Sequence, residues 1–234
     1  MELPSIRAVF RLIGFAMILF FWQWIFNQQF ELALELIIII CGVIAVFPVS
    51  YLGRVLLDRY STTEHASWIN TVIHFSIMIC LGASIIRAFV TYDQWKGFII
   101  PFPRGVSVLL VVVTGIFVMI TVLYLALRGL GAPFALIVSS KYLVSDWLYA
   151  RTRNPMVLAI ILFLLSLGLW FQSAWFITWI IFLVFPAWIF FLKYYEEREL
   201  EIRFGEKYLE YKANTPMFLP LSIEMLQQKR EHGR

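Results

Sequence analysis

Apolar residues fill the stretches Ala8–Phe26, Ala33–Leu52, Trp68–Val90 and Val106–Leu127, with polar residues gathered at their ends. Each approaches the ~20 residues that a helix needs to cross a ~30 Å hydrocarbon core, so four transmembrane helices are predicted. A further apolar stretch, Met156 to Leu192, is broken only at Gln172-Ser173-Ala174. It is too long for one span and suits two short helices joined by a tight turn. Each half reaches only ~24–27 Å at 1.5 Å per residue, so one or both extend into the interface. Strand-like alternation is absent from these runs, which leaves helices as the way to satisfy the backbone in lipid. The pattern therefore predicts an all-α, polytopic transmembrane bundle of about six spans, four plus a C-terminal hairpin, ending in a helical tail.

Polar residues concentrate in two places. Leu143 to Pro155, LVSDWLYARTRNP, precedes the hairpin, and Glu196 to Pro220, EERELEIRFGEKYLEYKANTPMFLP, follows it. The two segments thus sit at opposite ends of the predicted hairpin along the chain, and any chemistry is expected between them. Pro155 fits a first helical position, which directs backbone N–H groups, the Arg151 and Arg153 guanidinia and the Asn154 amide at one spot suited to an anionic group. Ordinary membrane anchoring by these arginines is the other reading of that segment. In the tail, Glu196, Leu200, Phe204 and Tyr208 recur every four residues, placing them on one face of a helix that continues from the last span. Gly205 and Pro216 interrupt or end it. A solvated helix end is the plainer interpretation of the Glu196-Glu197 pair.

Composition agrees with a membrane protein: 61% hydrophobic, 18% aromatic and 15% charged residues, against roughly 45–50% apolar and 25% charged in soluble domains. The first run, preceded by Arg7, reads as a retained helix rather than a cleaved signal. Six spans place both termini on one side. Of the 19 Lys and Arg, all but Arg87, Lys96 and Arg104 fall on that side, which the positive-inside rule makes cytoplasmic. The protein is then expected in the inner or plasma membrane of a prokaryote, or in the endoplasmic reticulum of a eukaryote. A net charge of +4 follows from this bias and from anionic headgroups, so nucleic acid is not needed as a partner.

Other candidates are discounted. Cys41 and Cys80 fall inside predicted spans and form no disulfide or metal framework. His65 and His232 lack ligand partners at zinc spacing, and no metal is expected. Arg87 lies near the outer end of its span and is read as snorkelling to headgroups. Glu31 and Glu35 fit the outer face, while His74 is read as bonding a neighbouring helix rather than a ligand. The GRVLLDRYSTTEHAS segment is read as a connector, with Thr62 or Thr63 capping the next helix. Gly129, Gly131 and Pro133 end the fourth span, and their Gly-Leu-Gly follows no strand, so a phosphate loop is not supported.

Together the two polar segments resemble the membrane superfamily of isoprenylcysteine carboxyl methyltransferases and phospholipid N-methyltransferases. Members carry Leu-Val, Gly-x-Tyr and Arg-(His or Asn)-Pro, then a helical hairpin, then Glu-Glu, Phe-Gly-x-x-Tyr-x-x-Tyr and a closing Pro. This chain has Leu143-Val144, Tyr149, Arg153-Asn154-Pro155, the hairpin, Glu196-Glu197, Phe204-Gly205, Tyr208, Tyr211, Pro216 and Pro220. The resemblance covers about Gly129 to Pro220. It divides the chain into scaffold helices over 1–128, a methyltransferase-like core over 129–220 and a polar tail over 221–234.

What the resemblance implies is S-adenosyl-L-methionine bound between the two segments, with a lateral opening for a membrane lipid or prenylated amphiphile. Carried over by position, cofactor contacts come from Lys141, Tyr142, Leu143, Val144, Tyr149, Asn154, Pro155, Met156, Val157 and Glu196; Arg153 and Glu197 are added on chemical grounds. The activity implied is carboxyl-O- or N-methyl transfer, with no catalytic residue assigned. A second reading is a relative of the fold that has lost methyl transfer and binds a lipid or partner. It rests on Trp147, where the family commonly has Gly, and on Val157, where it usually has Tyr. Leu192, with Lys193 beside it, stands where the prenylcysteine enzymes place an Arg.

Overall fold

The computed structural model describes residues 6–95, 99–129 and 142–218, and these are mostly helical, with no extended strand among them. Helix α1 (Ile6–Asn27) is followed by α2 (Leu32–Ile44), α3 (Val46–Arg59), α4 (Thr63–Val90) and α5 (Arg104–Gly129). The hairpin begins with α6 (Pro155–Trp170). Its return limb is one continuous rod: α7 (Ala174–Trp179), a π-helical turn (Ile180–Val184), α8 (Phe185–Phe190), a second π turn (Phe191–Glu196) and α9 (Glu197–Phe204). A short α10 (Glu206–Asn214) completes the tail. Five stretches are long and apolar enough to cross a membrane: Val9–Asn27, Leu32–Arg59, Thr63–Val90, Arg104–Arg128 and Ala174–Phe204. Pro155–Trp170 is a shorter apolar helix of 16 residues, the limited length that the sequence predicts for that limb. The chain is an integral membrane protein.

The return limb is the centre of the bundle. Phe176, Ile180, Val184, Ala187, Phe191 and Tyr195 are each at most 1% exposed, a stripe spaced by three or four residues that faces inward. Around it stand α2, α3, α4 and α6, while α1 covers α4 and α5 packs on α6. Gly53 on α3 permits the closest approach, since a Cβ there would lie 2.6 Å from the Tyr195 ring. Pro186 sits in the first turn of α8. It cannot donate to the preceding turn, and the ladder relaxes into wider hydrogen bonding just before it. The second π turn rotates everything after it, including both glutamates, relative to a regular α-helix.

Two assignments differ from the sequence reading. The segment read as a connector is helical from Gly53 to Arg59, because Leu57 is fully buried and Arg54 pairs with Asp58 one turn on at 2.9 Å. Thr62 caps α4 by accepting from the His65 N–H at 3.3 Å. Arg87 does not snorkel to headgroups, because Glu35 of α2 is its partner. They form a fully buried ion pair, with Arg87 Nε donating to Glu35 Oε2 at 2.7 Å. Arg87 Nη1 also donates to the Ile25 and Gln28 carbonyls at 2.7 and 3.0 Å. In this way it ties the end of α1, which offers carbonyls without intrahelical partners, to α2 and α4.

Both ends of the bundle are closed differently. Near Arg87, Tyr92 stacks on Phe171 at a ring separation of 3.9 Å, and Phe89 meets the same ring edge-on at 5.5 Å. That aromatic knot joins α4 to the α6–α7 turn. At the opposite end α4 packs on α9 rather than on α5 or α6. Lys141, Gly131, Pro133, Pro220 and His232 lie outside the described residues.

Candidate functional site

The Arg-Asn-Pro corner and the glutamate pair, some forty positions apart, meet at one end of the bundle. Arg153 Nη1 lies 2.8 Å from Glu197 Oε1, and Lys212 Nζ holds the other oxygen at 2.7 Å. The backbone completes the junction. Arg153 N donates to Pro216 O at 2.9 Å, Thr152 Oγ1 and Asn154 Nδ2 donate to Met217 O at 3.0 and 3.2 Å, and Tyr211 Oη donates to Tyr149 O at 2.7 Å. Residues 143 to 155 form a turn rather than a helix, with Pro155 opening α6 at its first position and Asn154 as cap residue. Gly205, at φ 55°, breaks the rod so that α10 can fold back over this corner.

Between corner and rod is a pocket with about 1000 Å³ of empty space, part of it open mouth. Among the residues singled out from sequence, Tyr142, Leu143, Val144, Tyr149, Arg153, Asn154, Met156, Val157 and Glu196 line it. Pro155 is buried at the head of α6 without reaching the pocket, and Glu197 turns away to hold Arg153 and Lys212. Trp147 is also absent from the lining; its indole packs on Tyr124 at 4.9 Å and is half exposed. Lys193 is exposed and Leu192 is buried, so no cation enters the pocket from that turn.

Several polar atoms face the space without protein partners. The Tyr149 hydroxyl and Arg153 Nε are buried and make no hydrogen bond. The Glu196 carboxylate lines the pocket, and no hydrogen bond or ion pair ties it to another described residue. Such orphaned groups cost stability unless something else satisfies them. Burial pushes the Tyr149 phenol well above its ordinary range, with the Glu196 charge adding to it. Tyr149 is therefore a neutral hydrogen-bond donor at physiological pH. Glu199, by contrast, is buried and paired with Arg203 at 2.8 Å.

The sequence reading missed part of the wall. Asn70 and His74, one turn apart on α4, line the pocket together with Trp188, Phe191, Glu199 and Arg203. His74 does not bond a neighbouring helix: its Nδ1 meets the carbonyl of Asn70 on its own helix at 2.9 Å. Leu200, Phe204 and Tyr208 line it as well, the first two on one face of α9 and Tyr208 brought in by the fold-back of α10. The four-residue recurrence was the available signal for these three, whereas nothing in the sequence ties α4 to the tail. Among the described residues no group of three or more His, Cys, Asp or Glu is placed to hold a metal ion.

An apolar helical bundle carrying a partly polar pocket at one end of its rods defines an integral membrane protein with a candidate site there. Residues 103–207 match the family model described as phospholipid methyltransferase, a family within the membrane methyltransferase superfamily that the two polar segments resemble. The matched stretch includes the corner, the hairpin and the glutamates but not α4. No curated protein and no solved structure matches the chain.

Proposed function

We propose that the chain is an S-adenosyl-L-methionine-dependent methyltransferase acting on a lipid or prenyl-type amphiphile at the cytoplasmic face, with both termini on that side. The observation that carries this reading is the meeting of the Arg-Asn-Pro corner with Glu196 across a pocket whose buried donors lack partners. The donor set fits the cofactor. Arg153 Nε and the Tyr149 hydroxyl suit its carboxylate and hydroxyls, and Glu196 suits its ammonium or ribose hydroxyls. Tyr142, Leu143, Val144, Asn154, Met156 and Val157 supply the remaining walls, Pro155 sits beside them at the head of α6, and Glu197 acts by fixing Arg153; the contact expected from Lys141 falls outside the described residues. When bound, the cofactor supplies an electrophilic methyl on a sulfonium. The protein then has to align donor and acceptor and exclude water. The rod and the corner do this from rigid, buried positions.

The alternative of a relative without methyl transfer loses one of its two supports, since Trp147 leaves the pocket clear. Calorimetric titration of the purified protein with S-adenosylhomocysteine tests the reading. Binding by the wild type that drops at least tenfold in Glu196→Gln is the expected result. Equal binding by both, or none by the wild type, refutes it.

A further inference from the structure

We infer that His74 takes the proton from the heteroatom that receives the methyl group, which makes the acceptor an amine or a hydroxyl rather than a carboxylate. This rests on the methyltransferase reading above. A carbonyl oxygen can only accept, so the 2.9 Å contact between His74 Nδ1 and Asn70 O fixes the proton on Nδ1. In the neutral ring Nε2 then keeps its lone pair, on a side chain that lines the pocket. The ring is held in place: Phe191 meets it edge-on at 5.3 Å, and Tyr195 Oη bonds Asn70 Oδ1 at 3.3 Å.

The position within the bundle suits this task. The corner and Glu196 line the pocket together with Asn70 and His74 of α4. Among the described residues α4 packs on α9 at this end, so an amphiphile that reaches the pocket past α4 arrives beside His74. At the far end the Phe171 knot ties α4 to the α6–α7 turn. The other ionisable groups of the pocket are Glu196, Arg153, Tyr142, the neutral Tyr149, Tyr208 and Tyr211 phenols, and Glu199 with its partner Arg203. Glu196 is unpaired too, but the reading above gives it to the cofactor, which leaves His74 for the methyl acceptor.

In the step, the acceptor's lone pair forms the bond to the methyl carbon while the sulfur–carbon bond breaks with its electron pair retained by sulfur. The acceptor's proton passes to His74 Nε2, and the imidazolium later returns it to water at the pocket mouth. A carboxylate acceptor arrives already deprotonated and leaves His74 without a role.

The chain has three histidines, so histidine-selective ¹⁵N labelling reads the His74 tautomer directly, with assignment by His74→Gln. The same variant is titrated with S-adenosylhomocysteine and assayed for labelled methyl transfer in vesicles of phosphatidylethanolamine and phosphatidylglycerol. We expect the Nδ1–H tautomer, binding within about twofold of wild type, turnover lower by about 100-fold or more, and partial recovery of His74→Ala by added imidazole. Full turnover in His74→Gln, an Nε2–H tautomer, or loss of binding in the variant overturns the assignment. A wild type that binds S-adenosylhomocysteine but methylates neither lipid overturns the acceptor class named here. A wild type that binds nothing removes the underlying methyltransferase reading instead.

Discussion

Trp147 is the residue whose backbone is most at odds with its identity. It sits at φ 51°, in the left-handed region where a side chain costs about 1–2 kcal/mol and glycine costs little. Comparing Trp147→Gly with Trp147→Ala removes the Tyr124 contact in both and isolates the backbone. The glycine variant is expected to be more stable by about 1 kcal/mol in denaturant unfolding in detergent. Titration also belongs to this scale. Burial pushes the Tyr149, Tyr208 and Tyr211 phenols up. Burial opposes the charge of Lys212, but its bonds to Glu197 and Glu201 prevail and raise it too. With folded values above unfolded ones, the native state holds more protons in that window, so stability is whole below about pH 10 and falls as pH climbs beyond it. Melting temperatures measured between pH 8 and 11 should decline in the upper part of that range, and less so in Tyr211→Phe. The sequence pointed to the corner and to Glu196 through the order and spacing that resemble the family, with Arg153 and Glu197 added for their chemistry. It was silent on Asn70 and His74, since one polar turn on an apolar helix has the same pattern whether it faces a ligand or a neighbour.

Among the elements, the spans were readable from apolar length alone, and their ends were not. The run from Gly53 to Arg59 carries charges of both signs, yet Leu57 and the Tyr195 contact with Gly53 keep it helical and packed. Arg87 illustrates the same blind spot, because a charge near a helix end reads as interfacial unless its partner is known. Glu35 is that partner, and removing one member of a buried pair strands the other. Arg87→Met should therefore cost about 3–5 kcal/mol, seen as a large fall in melting temperature. Glu35→Gln with Arg87→Met should recover only part of it, since the Ile25 and Gln28 carbonyls remain without their donor. The π turn at Phe191–Glu196 was beyond sequence reading altogether. It sets which way the glutamates point, and a regular helix would present a face turned by roughly 100° for each residue of offset.

At the scale of the molecule, the pocket draws on both the N-terminal helices and the hairpin. Residues 103–207 carry the family match, but α4 supplies a wall, and Asp58 on α3 holds Arg198 of the rod at 2.9 Å. A fragment beginning at residue 129 should consequently fail to bind S-adenosylhomocysteine even where circular dichroism shows it helical. Co-expression with residues 1–128 should restore binding, and both outcomes are measurable by calorimetry.

The tail grips the corner mainly through main-chain oxygens, at Pro216, Met217 and Tyr149. Every amino acid carries such an oxygen, so randomising the side chain at Met217 leaves this latch its acceptor. A laboratory library aimed at new acceptors can vary that position among apolar residues, since Met217 packs on the core, and should spare Thr152, Asn154 and Tyr211, whose side chains do the gripping.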